Sequence, residues 1–378
     1  MYYLALPAMF NGVSFPALKN DIILRACKGL PIPHAPVWIM RQAGRYLPEF
    51  QEVRKQNDFF EICRTPELAC EVTLQPIKRF NLDAAIIFSD ILVVPQVLGM
   101  EVTMAPGVGP YFPNPLSTTT DLSRLDQFPD VSASLDYVYK AITLTRHRLE
   151  GRVPLIGFAG APWTLMTYMI EGGGSKTFAK SKKWLYAYPE DSHKLLDLLT
   201  RVVIDHLVNQ VLAGAQLLQV FESNAGALSP YLFKTFAFPY LQRIYKEVRE
   251  CLLARHNYTE KDLPPIIMFA KDGHYALVDL AAVGFEVIGL DWTMDPAVVR
   301  KLVGVDVTLQ GNLDPCALYS SNADLEKRVE EMLKSFGSIG GSHMHIVNLG
   351  HGIYPDVDPE KVTTFVETVH RLTANENY

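Results

Sequence analysis

Eight short apolar runs punctuate the chain, and each is followed at once by polar residues or a glycine-bearing turn. They are PVWIM at 36–40, DAAIIF at 83–88, VPLIGFA at 153–159, LLQVF at 217–221, PIIMFA at 265–270, EVIGL at 286–290, VTLQ at 307–310 and HIVNL at 345–349. Most are continuously apolar rather than alternating. A strand covered on one face alternates; a strand covered on both faces does not. The runs therefore read as strands of a parallel sheet. Helix-like segments lie between them, such as 192–215, with apolar residues three and four apart, and 324–336, which opens on Asp324 as a cap. Eight strands alternating with helices predict a (β/α)8 TIM barrel, an α/β fold in a single domain. A doubly wound open sheet would place a G-x-G-x-x-G turn after the first strand, and RQAGR does not fit that pattern.

No break in composition divides the 378 residues. The sequence predicts a loose leader over 1–14, one barrel domain over 15–372 and a tail over 373–378. The leader is apolar, but no Lys or Arg precedes Lys19, which argues against a secretory signal. The Pro- and Gly-rich stretch 92–116 reads as an elaborated loop after the second strand. The net charge of −6, with no long basic run, argues against nucleic acid as a partner. No run approaches the roughly 20 apolar residues of a membrane span. The five cysteines are scattered and form no C-x-x-C, so neither a thiolate metal site nor a redox pair is expected. The cytosol suits them best.

Barrel enzymes carry their chemistry at the C-terminal ends of the strands. Here those ends hold Arg41 and Arg45, then Ser89 and Asp90, then Trp163, then Glu222, Ser223 and Asn224. Lys271, Asp272 and His274 follow, and after them Asp291, Asn312, Asp314 and His351. Two guanidiniums four residues apart repel each other unless an anion sits between them or each pairs locally, for instance with Glu49 or Glu52. Asp90 reads either as a cap or salt-bridge partner, or as a carboxylate held ionised by the arginines and able to accept N–H donors from a ligand. His351 lies between Gly350 and Gly352, which allow a tight turn and a close approach to a ligand. The run EGGGSK at 171–176 lacks the Walker spacing and reads as a lid or loop. Tyr168, just before it, offers a hydroxyl to the cleft or belongs to the core. The pair His343 and His345 reads as chance or surface. No metal is expected. The ligand that such a mouth suits is polyanionic.

The blocks PVWIMRQAGRYLPEF, DAAIIFSDILVVPQVLGMEVTM, IGFAGAPWTLMTYMIEGGGS, FAKDGH, TLQGNLDP and NLGHGIYPDVDPE together resemble the uroporphyrinogen decarboxylase family, in its eukaryotic style, from about residue 15 to about residue 370. The resemblance implies a (β/α)8 barrel that acts without a cofactor as a homodimer in haem synthesis. It also implies decarboxylation of the four acetate side chains of uroporphyrinogen III, giving coproporphyrinogen III. Arg41 and Arg45 match the family's carboxylate-binding arginines, and Ala43 and Arg54 match further substrate contacts. Asp90 matches the aspartate that accepts the pyrrole N–H groups and stabilises the protonated pyrrole. Tyr168, Ser223 and His351 match the remaining binding residues. Arg41, or a water it positions, is the implied proton source. Asn224 departs from the histidine often found there, and the loop before the last strand is slightly longer.

Overall fold

The continuous apolar runs become strands with both faces covered. The computed structural model describes residues 14–105, 109–339 and 344–375. Among them, β1 is Ala85–Ile86, β2 is Thr103–Ala105 and β3 is Gly109–Tyr111. The remaining strands are β4 (Leu155–Gly160), β5 (Leu217–Glu222), β6 (Ile266–Ala270), β7 (Val287–Gly289), β8 (Thr308–Leu313) and β9 (His345–Leu349). β2 and β3 form an antiparallel hairpin inside the predicted loop 92–116. The others form a seven-stranded parallel sheet in the order β1-β4-β5-β6-β7-β8-β9. Neighbours in sequence are neighbours in space, as right-handed β-helix-β units require.

Successive strand residues point to opposite faces, and each face has its own core. Ile156, Leu217, Ile267, Val287 and Ile346 gather inside the curled sheet with Trp38 and Ala84. Their chain neighbours Leu155, Leu218, Met268, Ile288 and Val347 pack outward against the helices. The helix Ile22–Cys27 adds Ile23, Ala26 and Cys27 to the inner cluster. Full burial of one such side chain stabilises the fold by about 1.5–3 kcal/mol. Inside this apolar set Trp38 Nε1 donates to Gln310 Oε1 at 2.8 Å, so the buried indole N–H is satisfied.

Seven of the eight expected strands form. Residues 36–40 do not make a full strand: only Val37 bridges Val347. The reason is where their donors go. Pro36 has no N–H, Val37 N–H donates to Asp83 Oδ2 (2.8 Å), Ile39 N–H to Gln42 Oε1 (3.1 Å) and Met40 N–H to Asn348 Oδ1 (2.9 Å). Side chains thus take most of the ladder's place. The segment still lies between the two edge strands. Val347 N–H donates to the Pro36 carbonyl at 2.8 Å, and Asp83 N–H to the Val37 carbonyl at 2.8 Å.

The helices start and stop where capping chemistry says they should. Pro189–Leu212 begins on Pro189, with Glu190 and Asp191 in the first turn. Pro162–Glu171 ends at Gly172 in the left-handed region. The helix expected to open on Asp324 is Asn322–Phe336 and is capped by Ser321, whose side chain accepts from Asp324 N–H. His345 is not a surface residue: its ring is fully buried, stacked 3.6 Å from Phe336, and bonded to Ser338 Oγ at 2.6 Å. His343, most of the leader and the end of the tail lie outside the described residues.

Candidate active site

The turn that carries the two arginines is fixed by a buried amide. Gln42 is fully buried, accepts from Ile39 N–H and donates through Nε2 to the Ala84 carbonyl (3.1 Å). Tyr46 Oη donates to the Gln42 carbonyl at 2.7 Å. Arg41 sits at φ 65°, a left-handed backbone that costs a non-glycine residue roughly 1 kcal/mol or more. The side chain then crosses Gly352, where a Cβ would lie 2.4 Å from Arg41 Cδ. Gly350 is required in the same way by the Trp292 backbone, at 2.3 Å. The two glycines thus admit protein neighbours rather than a ligand.

Local pairing of the arginines does not occur. Glu49 is held by Arg79 at 2.8 Å and Glu52 by Lys55 at 2.6 Å. Among the described residues, Arg41 and Arg45 make no ion pair and no side-chain hydrogen bond. Both are exposed and face a cavity of about 1690 Å³ at the C-terminal ends of the strands. All the expected site residues line it: Arg41, Ala43, Arg45, Arg54, Asp90, Tyr168, Ser223 and His351. Six cationic side chains and two carboxylates line the cavity, although the whole chain is acidic. The sixfold set adds Lys176, Lys182 and Lys271 to the three arginines. Lys271 is paired with Asp272 and lies over the Trp292 ring. The inner wall is apolar: Phe158, Phe221 and Phe269 stack edge to face at 5.8 and 6.3 Å.

Asp90 lies in the same cavity. Its Oδ1 accepts from Leu92 N–H at 3.1 Å, while its Oδ2 has no protein partner. Burial raises its carboxyl above the usual range; the Leu92 and Ile91 amides and the Arg41 charge pull the other way without cancelling it. The direction is opposite to the lowering expected from the arginines, because desolvation outweighs attraction here. His351 is pushed down to about 4 by burial and by the Arg41 and Lys271 charges, so it is neutral at pH 7. Its ring meets Trp292 edge-on at 6.0 Å. Burial, with the charge of Asp90, raises the Tyr168 hydroxyl, which therefore stays a donor.

Other strand-end residues hold the site, and of these Asn224 also lines it. Trp163 is fully buried and donates to the Asn224 carbonyl at 3.0 Å; Asn224 Nδ2 donates to Thr167 Oγ1 at 2.7 Å. Glu222, fully buried and pushed up to about 8 by burial, accepts from Thr164 Oγ1 at 2.5 Å. Asp291 accepts from Asp272 N–H at 2.6 Å, and Asn312 donates to the Asp291 carbonyl at 2.8 Å. Asp314 caps the 3-10 turn Pro315–Tyr319, and His274 bonds Thr293 outside the cavity. Gln42, Lys176 and Lys182 were not singled out for this site from sequence. Lys176 ends the EGGGSK run, and Lys182 lies in the lysine-rich FAKSKKW, which by itself reads as a solvated helix.

Among the described residues one set has ligand atoms close enough for a metal, His34, Asp83 and His370, within 4.8 Å of one another. The Asp83 carboxylate already accepts from Asn20 Nδ2 (2.9 Å) and Val37 N–H (2.8 Å) and bonds His370 Nε2 (3.0 Å). It fits a clamp on the chain better than a cation site.

Fold and cavity define a class: a parallel α/β protein with a cation-rich, partly apolar cavity at its strand ends. Comparison with known proteins narrows this. The sequence profile of the uroporphyrinogen decarboxylase family matches residues 18–372. The chain is 59% identical to the uroporphyrinogen decarboxylase of Homo sapiens, over 94% of this chain and 95% of that one. It is 54% identical to that of Schizosaccharomyces pombe, over 94% and 99% of the two chains. The protein belongs to the uroporphyrinogen decarboxylase family. In structure it is similar to a methyltransferase from Methanosarcina mazei, with TM-score 0.72 and 19% identity over 94% of this chain and 99% of that one. A B12-independent methionine synthase from Shewanella follows at TM-score 0.54 and 9% identity, over 90% and 96%. These two likenesses concern the fold alone.

Proposed function

We propose that this protein is a carboxy-lyase that converts the four acetate side chains of uroporphyrinogen III to methyls, giving coproporphyrinogen III. The observation that carries the reading is the pair of unpaired guanidiniums, Arg41 and Arg45, facing the same cavity that the Asp90 carboxylate lines. An octacarboxylate with four inward N–H donors needs both features. Arg41, Arg45 and Arg54 take peripheral carboxylates as charge-assisted hydrogen bonds. The small Ala43 leaves room for the ring, the Tyr168 and Ser223 hydroxyls and neutral His351 supply uncharged polar contacts, and the phenylalanine wall takes the macrocycle's face.

Each decarboxylation adds one proton and releases one CO2. Protonation of the pyrrole α-carbon next to the acetate-bearing carbon makes an iminium-like ring with the acetate-bearing carbon conjugated to it. The C–C bond to the carboxylate then breaks, its electron pair enters the ring, and CO2 leaves. A proton on the resulting methylene gives the methyl, and loss of the ring proton restores the pyrrole. Asp90 accepts the N–H groups and stabilises the cationic ring; that charge favours its ionised form when substrate is bound. A guanidinium is too weak an acid to give up its own proton readily. Arg41 therefore holds the water that delivers it. No cofactor is called on.

We also assign residues 15–372 to one domain in which 36–40 completes a closed eight-stranded barrel. The two-sided backbone contacts of 36–40 support this. A homodimer is proposed, working in the cytosol. Val278, Val298 and Leu302 are exposed on the helices Leu277–Val283 and Pro296–Val303, which pack together and offer an apolar surface. Light scattering tests the dimer. The test of function is a product assay. Chelator-treated protein receives reduced uroporphyrinogen III without oxygen, and the oxidised products are separated by carboxyl count. Seven- to four-carboxyl porphyrins are expected; unchanged eight-carboxyl material from folded protein refutes the reading.

A further inference from the structure

A second cavity, of about 420 Å³, opens at the other end of the sheet, where β5 and β6 begin. Arg146, from the helix Asp136–Leu149, lines it and is only 5% exposed. Its Nε and Nη1 are buried without a hydrogen-bond partner, and among the described residues no ion pair reaches the guanidinium. A buried cation in this state is costly unless something meets its donors. Phe15 covers one face, with the guanidinium carbon 5.0 Å from the ring centroid, but a ring satisfies no N–H. The seat is built tightly: at Gly214, φ +116°, a Cβ would lie 2.7 Å from Phe15 Cζ and 2.9 Å from Arg146 Cγ.

The other polar groups on the wall favour negative charge. Lys28 and Lys261 line the cavity, and Lys28 Nζ reaches only the Lys261 carbonyl, at 3.3 Å. His256 Nε2 is buried without a partner. Asp262 is the one carboxylate on the wall, and it already accepts from Thr259 N–H (3.3 Å) and Thr259 Oγ1 (2.5 Å). We propose that this cavity binds a small oxyanion, a phosphate or a carboxylate group, on the Arg146 guanidinium, with Lys28, Lys261 and His256 around it. The site lies away from the arginine turn and stands whether or not the decarboxylase reading does.

The test is thermal unfolding of the full chain carrying Arg41→Ala and Arg45→Ala, which removes two of the main cavity's three arginines. Inorganic phosphate is titrated against chloride of equal ionic strength, with acetate in parallel. A saturable rise in Tm of about 2–4 °C is expected, as for any ligand bound only by the folded state. A response to phosphate alone assigns the phosphate class, and a response to acetate assigns the carboxylate class. Arg146→Gln should abolish the rise. Should that variant not fold, Lys261→Ala and His256→Ala should each weaken the apparent affinity several-fold. Crystals soaked in selenate should show the anion against Arg146. Absence of a saturable rise over chloride overturns the proposal, as does a rise unchanged in the variants or water alone at Arg146.

Discussion

Asp83 and Asp90 bracket the same short strand, and they live under opposite conditions. Asp83, before β1, has both oxygens engaged, by Asn20, by the Val37 amide and by His370. Asp90, after β1, lines the cavity and keeps one buried oxygen with no hydrogen-bond partner among the described residues. One carboxylate is used up in holding the chain; the other is kept available at a cost in folding free energy. The same contrast runs through the arginines, since Arg79 takes Glu49 while Arg41 and Arg45 face the cavity unpaired. Around this strand, saturation marks the structural end and an unsatisfied carboxylate oxygen marks the working end.

Replacing each aspartate should separate the two roles most widely. Asp90→Asn should lower turnover by about 10²-fold or more, the scale seen when one preorganised electrostatic group is lost. Its stability at pH 7 should be unchanged or higher. The sign follows from the raised pKa: between the unfolded and folded values the folded state binds the extra proton, so ionised Asp90 destabilises at neutral pH. Turnover and denaturant midpoint on one sample decide this; a large stability loss would place Asp90 with the structural groups. Arg41→Ala and Arg45→Ala come next, each lowering kcat/KM by roughly 10–100-fold for loss of a charge-assisted hydrogen bond. Steady-state kinetics with purified uroporphyrinogen measures it.

Asp83→Ala should do the reverse, costing about 3 kcal/mol of stability by stranding the buried Val37 N–H, with the folded fraction still active. A dead but stable Asp83→Ala protein would break the comparison. His351 supplies a pH signature. Its pKa falls from 6.5 to about 4 on folding, so between these values the unfolded chain holds the extra proton and stability falls as pH falls. His206 and His345, both pushed to about 3, act in the same sense. His351→Asn should flatten part of that slope, measured as denaturant midpoints from pH 7 to 4. The smallest effect expected is Asn20→Ala, about 1 kcal/mol with full activity, since Asp83 keeps its other partners.

The strands were legible because burial on both faces leaves a plain mark, a short unbroken apolar run. The site was legible because polar residues directly after such runs must fall at one end of the sheet. What escaped depends on contacts far apart in sequence. The first strand thins to one bridge because its donors go to Asp83, Gln42 and Asn348, and no local pattern announces the first and last of these. Lys182 looks like any solvated helix lysine until the fold brings the helix Ala179–Ala187 to the cavity. The direction of the Asp90 shift could not be read at all, because it is a contest between burial and a neighbouring charge that only geometry decides.

The cationic lining has a consequence for processivity. Its charge stays fixed while the ligand loses one negative charge at every step, from eight carboxylates to four. The grip should therefore loosen as the reaction proceeds, and salt should loosen it further by screening the exposed contacts. At low ionic strength partly processed rings are held long enough to finish. At high ionic strength more of them escape, and the spread of intermediates in solution becomes a gauge of how much of the binding is electrostatic.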